Sequence, residues 1–222
     1  MKVSKRLLFF ALTAAILIFS AVMGESAPQD KIAYITIDDG PTLNTPRIID
    51  TLKAHNAGAT FFVLKERIEM YPDSIRKMDN EGFAIGLHGV SHSKAIYASS
   101  TSPLSEMNET GDALYRLIGR RTRLVRTPYG SVPNLTDRQR QLLTAAGYKI
   151  MDWNVDPRDS IGKVVDRNTV LRNLKAGLDK VGSPAVILLH DRKSTADALE
   201  EILAILEAEG YELKNLTPNV EF

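Results

Sequence analysis

Residues 32–41 read Ile32-Ala33-Tyr34-Ile35-Thr36-Ile37-Asp38-Asp39-Gly40-Pro41: a β-rich apolar run that ends in two adjacent carboxylates and a turn-forming Gly-Pro pair. Branched and aromatic side chains in a nearly unbroken series suit a strand buried in a sheet. Runs of the same kind recur at Thr60–Leu64, Phe83–Leu87, Leu124–Val125, Tyr148–Met151, Ala185–Leu189 and Tyr211–Leu213. Helical stretches fall between them. Thr45–Pro46 opens one, with Pro in its first turn, running to about His55. Pro72–Glu81 is another, stopped by Gly82. Others run from Ser102–Pro103 to about Ile118, from about Leu135 to near Gly147, over Asn168–Lys180, and over Thr195–Glu209 before Gly210. Alternation through about seven units predicts an α/β fold in one domain, either a barrel or a doubly wound sheet. The polar residues point toward the barrel. Asp38 and Asp39, His88, Arg126, Asp156 with Asp159, and His190 all fall just after predicted strands, whose carboxyl ends form one functional face.

Composition bounds the function. The 222 residues carry 28 basic and 27 acidic side chains and no cysteine. Any metal must therefore be held by nitrogen and oxygen. Lys2, Lys5 and Arg6 precede an uncharged, mostly apolar run from Leu7 to about Met23, and small residues follow. That order reads as an export leader over residues 1–24, cleaved after about Gly24 or retained as a membrane tether through residues 7–23. A polar linker over 25–31 leads into the domain at 32–222. Without the leader, 25 basic residues face 27 acidic ones, a balance of −2. This lacks the basic excess of a nucleic-acid binder.

Five segments carry chemistry, and each has a plain alternative. Asp38-Asp39-Gly40-Pro41 suits a turn, but two carboxylates after a buried strand can also divide labour. One binds a metal while the other takes a proton from water. His88 and His92, spaced i and i+4, would share one face of a helical turn and close on one ion. With Asp39 they give one oxygen and two nitrogen ligands and leave a position open, as catalytic zinc sites do. Arg126 before Pro128-Tyr129-Gly130 is either a surface cation at a turn or a guanidinium orienting a carboxylate through paired hydrogen bonds. The turn can also aim a backbone N–H at an oxyanion. Asp156-Pro157-Arg158-Asp159 is either a solvated loop or the source of a carboxylate that holds a histidine in its useful tautomer. His190 is either a satisfied near-core histidine or a general acid. His55 reads as structural or surface.

Taken in order, these segments resemble the polysaccharide deacetylase family, the NodB-homology domain of carbohydrate esterase family four. The resemblance spans Ile32 to about Leu213. Its five motifs correspond to Thr36–Pro41, His88–His92, Arg126–Tyr129, Asp156–Ser160 and Leu188–His190. It implies a distorted (β/α)7-8 barrel and a divalent ion, zinc first and cobalt second, on Asp39, His88 and His92. It also implies Asp38 as base positioned by Arg126, and His190 as acid tuned by Asp159. It further implies the Tyr129 backbone N–H in the oxyanion site, with Pro128 and Leu188 on the substrate side. Two positions depart from the family pattern. Gly89 stands where a Ser or Thr braces the metal loop, which implies a looser loop. Ser160 stands where a Trp walls the groove, which implies a more open groove or one shaped by another residue.

The implied reaction is N-deacetylation of an N-acetylglucosamine-type polymer, peptidoglycan before chitin oligomers, by an exported monomer. An O-acetyl esterase and a non-catalytic carbohydrate-binding protein are alternatives on the same scaffold. A non-haem iron oxygenase would use two His and one carboxylate. It would leave Asp38 and His190 without roles.

Overall fold

The computed structural model describes residues 31–162 and 165–222. The expected leader, and the expected linker up to residue 30, lie outside the described residues. At the centre is β1 (Lys31–Gly40), which pairs in parallel with β2 (Ala59–Val63) and with β6 (Ala185–His190). β3 (Ala84–Leu87), β4 (Leu124–Val125) and β5 (Lys149–Ile150) extend the sheet in the order β5-β4-β3-β2-β1-β6. β7 (Tyr211–Leu213) pairs with Lys31–Ala33, ahead of Ile35 where the pairing with β2 begins. Beyond β5 the chain reaches Val155, which bridges in parallel to Ile187 of β6. There the Leu188 N–H donates to the Val155 carbonyl at 2.9 Å. A thin seam thus joins the two ends of a curled parallel sheet, giving the distorted barrel.

Strand alternation sorts the residues into two layers. Ile35, Ile37, Phe61, Leu87, Val125, Ile187 and Leu189 belong to the large core between sheet and helices. That core is sealed by α1 (Thr45–Ala54), α2 (Lys65–Met70), α3 (Pro72–Asn80), α4 (Ser102–Ile118), α5 (Asp137–Ala145), α6 (Arg167–Val181) and α7 (Lys193–Ala208). On α7 the buried set Ala198, Leu199, Ile202, Leu203 and Leu206 forms one helical stripe. Each large member contributes about 1.5–3 kcal/mol by leaving water. The opposite sheet face carries a smaller cluster with Tyr34, Phe62, Leu124, Met151 and Val186. Gly86 sits on this face because a Cβ there would lie 2.5 Å from the Phe62 ring. Continuing each strand on this face by two or four residues arrives at Asp38, His88, Arg126 and His190. The site is thus the polar top layer of the barrel interior.

Three local expectations change. β1 starts at Lys31 and runs on through Asp38, Asp39 and Gly40, because the backbone ladder continues past the last apolar residue. The helix α2 and the 3₁₀ turn Lys94–Tyr97 interrupt stretches read as loops. Each buries a single residue, Ile68 or Ile96, too few to leave a periodic trace. Finally, His88–His92 is an irregular bend, with Gly89 at φ 89° and His92 at φ 54°. The two imidazoles meet across a loop rather than along one helical face.

Candidate active site

Neighbouring side chains on a regular strand point to opposite faces. Asp39 would then face the helices. Instead, the β1–β2 register slips between Asp38 and Gly40, which pair with Phe62 and Val63, and Asp39 takes φ 71°. A bulge of this kind re-aims one side chain. Both carboxylates consequently line the same groove. Three non-glycine residues of this groove, Asp39, His92 and Tyr129, hold positive φ. Such conformations cost about 1–3 kcal/mol each and gather where surrounding structure enforces them.

Asp39, His88 and His92 form a cluster whose ligand atoms lie within 4.8 Å of one another. Asp39 Oδ1 is 3.4 Å from His88 Nε2 and 3.5 Å from His92 Nε2. His88 Nδ1 lies 2.7 Å from the Arg126 carbonyl, an acceptor that assigns the proton to Nδ1 and leaves Nε2 a lone pair. Asp39 Oδ1 is buried without a hydrogen-bond partner. An orphaned carboxylate oxygen facing two imidazole nitrogens fits a divalent ion. Burial opposes ionisation of Asp39, but the close approach of His88 and the positive charge available at His88, His92 and His190 outweigh it and hold its pKa well below the carboxylate range. Burial also lowers the His92 pKa against the pull of Asp39, which favours the neutral form a ligand needs.

The expected loosening at Gly89 meets a replacement brace. Glu106 of α4 accepts the Val90 N–H through Oε2 at 2.9 Å. A Cβ on Gly89 would lie 3.0 Å from that same oxygen, so the glycine and the glutamate fit each other. Glu106→Ala is expected to weaken metal binding about tenfold, as loss of a supporting hydrogen bond does. Glu106→Gln keeps an acceptor and should stay near the parent. Chelator competition on the two variants checks this.

Arg126 is fully buried. Its Nη1 donates to Asp38 Oδ1 at 2.9 Å and to Thr36 Oγ1 at 2.6 Å. Nε donates to the Met151 carbonyl at 2.8 Å and Nη2 to the Asp152 carbonyl at 2.6 Å. The expected paired hydrogen bonds to one carboxylate are therefore replaced by a single one. The rest of the guanidinium is tied to β1 and to the segment after β5. It also lies over the rings of Phe62 and Trp153, at 4.3 and 5.5 Å.

Asp159 is fully buried. Its Oδ1 is 2.8 Å from His190 Nδ1, and its Oδ2 accepts the His190 N–H at 2.7 Å and the Thr195 hydroxyl at 2.5 Å. Burial disfavours a charged His190, but the Asp159 hydrogen bond, then the charges of Asp159, Asp38 and Asp39, push its pKa up to about 9. This folded value exceeds the ordinary 6.5. The pair's contribution to stability is thus complete below about 6.5 and is lost as pH rises through about 9. Asp159→Asn is expected to flatten that fall in melting temperature and to move the alkaline limb of the pH–rate profile to lower pH. Melting and rate profiles over pH 6.5 to 9 check both.

The groove has a volume of about 350 Å³, and Tyr129 and Leu188 line it. Among the described residues no acceptor meets the Tyr129 backbone N–H. Pro128 is not on the groove wall. It is buried, and its carbonyl accepts the Tyr97 hydroxyl at 2.5 Å. Several supports escaped the sequence reading. Thr36 opened the first motif without a role of its own, and Thr195 lay inside a stretch read only as helix. Asp191 followed His190 without a role, yet its carboxylate accepts from Thr42 at 2.7 Å and Thr45 at 2.5 Å. This ties the end of β6 to the loop after Asp39. Ser160 does line the groove where the family pattern has Trp, and Arg192 reaches over it, donating from Nη1 to the Ser160 carbonyl at 3.0 Å.

Comparison with known proteins supplies the family. The family model described as polysaccharide deacetylase matches residues 25–151, ending before Asp159 and His190. YheN of Bacillus subtilis (strain 168) is 39% identical over 82% of this chain and 66% of its own length. A peptidoglycan-N-acetylglucosamine deacetylase of Bacillus cereus is 31% identical over 86% of this chain and 74% of its own. The peptidoglycan-N-acetylmuramic acid deacetylase PdaC of Bacillus subtilis is 34% identical over 84% of this chain but only 38% of its own. The crystal structure of the polysaccharide deacetylase Bc1974 from Bacillus cereus superposes with a TM-score of 0.78 at 32% identity, covering 86% of this chain and 95% of that one. The chain belongs to the polysaccharide deacetylase family.

Proposed function

We propose that this chain removes N-acetyl groups from an N-acetylglucosamine-type polymer, peptidoglycan first and chitin oligomers second. In this reading residues 32–222 are the catalytic domain of an exported monomer, with the leader cleaved or retained as a tether. One observation carries the proposal. Asp38 and His190 are register partners on adjacent strands, each fixed by a buried partner, beside the Asp39–His88–His92 cluster. An amide hydrolase needs a base and an acid placed together in this way. A divalent ion on those three residues, zinc first and cobalt second, would polarise the acetamide carbonyl and acidify water.

Asp38 Oδ1 is engaged by Arg126, while Oδ2 lies 3.8 Å from His88 Nε2, turned toward the cluster. It takes the proton of the attacking water. The water oxygen bonds to the acetyl carbon, and the Tyr129 N–H donates to the oxygen that gains charge. His190 then gives its Nε2 proton to the sugar nitrogen as the C–N bond breaks, and acetate leaves. Asp159 keeps the imidazole oriented by its bond to Nδ1. Peptidoglycan comes first because relatives bearing that substrate in their names cover this chain almost throughout. Acetate release from peptidoglycan and from chitin oligomers, with chelation and zinc add-back, tests the reading. Release that chelation stops and zinc restores is expected. No acetate from any N-acetylated glycan by zinc-loaded protein overturns it. Release confined to O-acetylated glycans turns the reading to an esterase.

A further inference from the structure

We infer that Arg192 makes the groove selective for glycan units that bear a carboxylate. The inference rests on the glycan-hydrolase reading and narrows its substrate. Arg192 follows the acid His190 and is the only lysine or arginine among the described residues lining the groove. It is exposed at the groove, and one nitrogen is fixed by the Ser160 carbonyl at 3.0 Å. Its remaining N–H groups meet no acceptor, and no carboxylate pairs with it among the described residues. Two neighbouring cations are taken: Lys193 pairs with Asp197 at 2.6 Å, and Arg126 is buried against Asp38. Where the family pattern puts an indole, this chain puts the small Ser160 with a guanidinium held above it. An indole offers a sugar face a stacking surface; a planar guanidinium offers an anion two parallel donors.

The groove also holds an acid outside the metal cluster. Asp156 lines the same groove with its Oδ1 already accepting the Arg158 N–H at 2.8 Å. A substrate carboxylate is repelled by Asp156 and drawn to Arg192. Bacterial wall glycan carries suitable carboxylates on the lactyl ether of its muramoyl units and on the stem peptides, whereas chitin oligomers carry none.

The test compares zinc-loaded parent, Arg192→Gln and Arg192→Lys on three probes. These are chitotetraose, a peptide-free glucosaminyl-muramoyl tetrasaccharide with free lactyl carboxylates, and the same tetrasaccharide bearing stem peptides. Binding of each probe to the Asp38→Asn background is measured alongside acetate release. Arg192→Gln is expected to raise KM and Kd about fivefold on a carboxylate-bearing probe, the range of one partly exposed charged contact. Chitotetraose should change less than about twofold. Lysine, which keeps the charge without the paired donors, should fall between. The probe that responds identifies the lactyl group or the peptide as the source. Equal effects on all three probes, or no effect on any, overturn the inference. Absence of acetate from every probe with the parent overturns the hydrolase reading instead, while the binding comparison still decides the role of Arg192.

Discussion

Asp38→Asn is expected to lower turnover by about 10²- to 10⁴-fold, the usual contribution of a positioned general base. Metal content should stay at the parent level. The residue is 2% exposed, held through Oδ1 by Arg126, and not a member of the Asp39–His88–His92 cluster. Asparagine keeps the shape and still accepts from Arg126 through its amide oxygen. It has no basic oxygen with which to take a proton. The effect should therefore fall on kcat rather than KM, since the substrate's ground-state contacts are unaltered. Steady-state kinetics with metal analysis of the same sample decide the matter. Turnover within a few-fold of the parent would remove Asp38 from the role of base. The neighbouring Asp39→Asn separates the two carboxylates from the other side, because it should lose metal before it loses anything else.

The second large effect concerns Arg126. Arg126→Met is expected to destabilise the fold by about 3–5 kcal/mol, as breaking a buried ion pair does. Methionine fills much of the space against Phe62 and Trp153, so the loss is chiefly electrostatic. It leaves Asp38 as a buried charge and the Met151 and Asp152 carbonyls without their donor. Part of that loss belongs to Asp38 alone. Combining Arg126→Met with Asp38→Asn should therefore cost clearly less than the two single losses added. Denaturant unfolding of the two single variants and the double variant measures the coupling. Strict additivity would mean that Arg126 acts as a strut between β1 and the segment after β5, and not as the partner of Asp38.

Much of the fold was legible because parallel strands buried on both faces leave continuous apolar runs, and Gly or Pro marks the ends of most helices. Pro46 and Pro103 each sit in the first turn of an observed helix. Gly119 closes α4 in the left-handed conformation. The short elements were illegible for the opposite reason, since α2 and the 3₁₀ turn bury one residue each. Within the site, residue types at strand ends were enough to name the metal cluster, base and acid as candidates. Their supports were not legible. Glu106 is 16 positions from Val90, and Thr36 is 90 positions from Arg126. Nothing local in a sequence ties such pairs together.

Residues 32–41, set in a chain of alternating apolar runs and helices, determined that a buried strand would deliver two carboxylates to one end of a parallel sheet. The residue types at the strand ends also set the available chemistry: carboxylate oxygens and imidazole nitrogens that can ligate a metal or carry a proton. Only the tertiary structure decided that both carboxylates face the same groove. Alternation along a strand would have parted them, and the bulge at Asp39 does not appear in any pattern of residue types. The same holds at the two departures from the family pattern. Gly89 is matched by a glutamate from α4, and Ser160 by an arginine after β6. Both compensations are contacts between distant segments, set by how the barrel closes and not by any local preference of the chain.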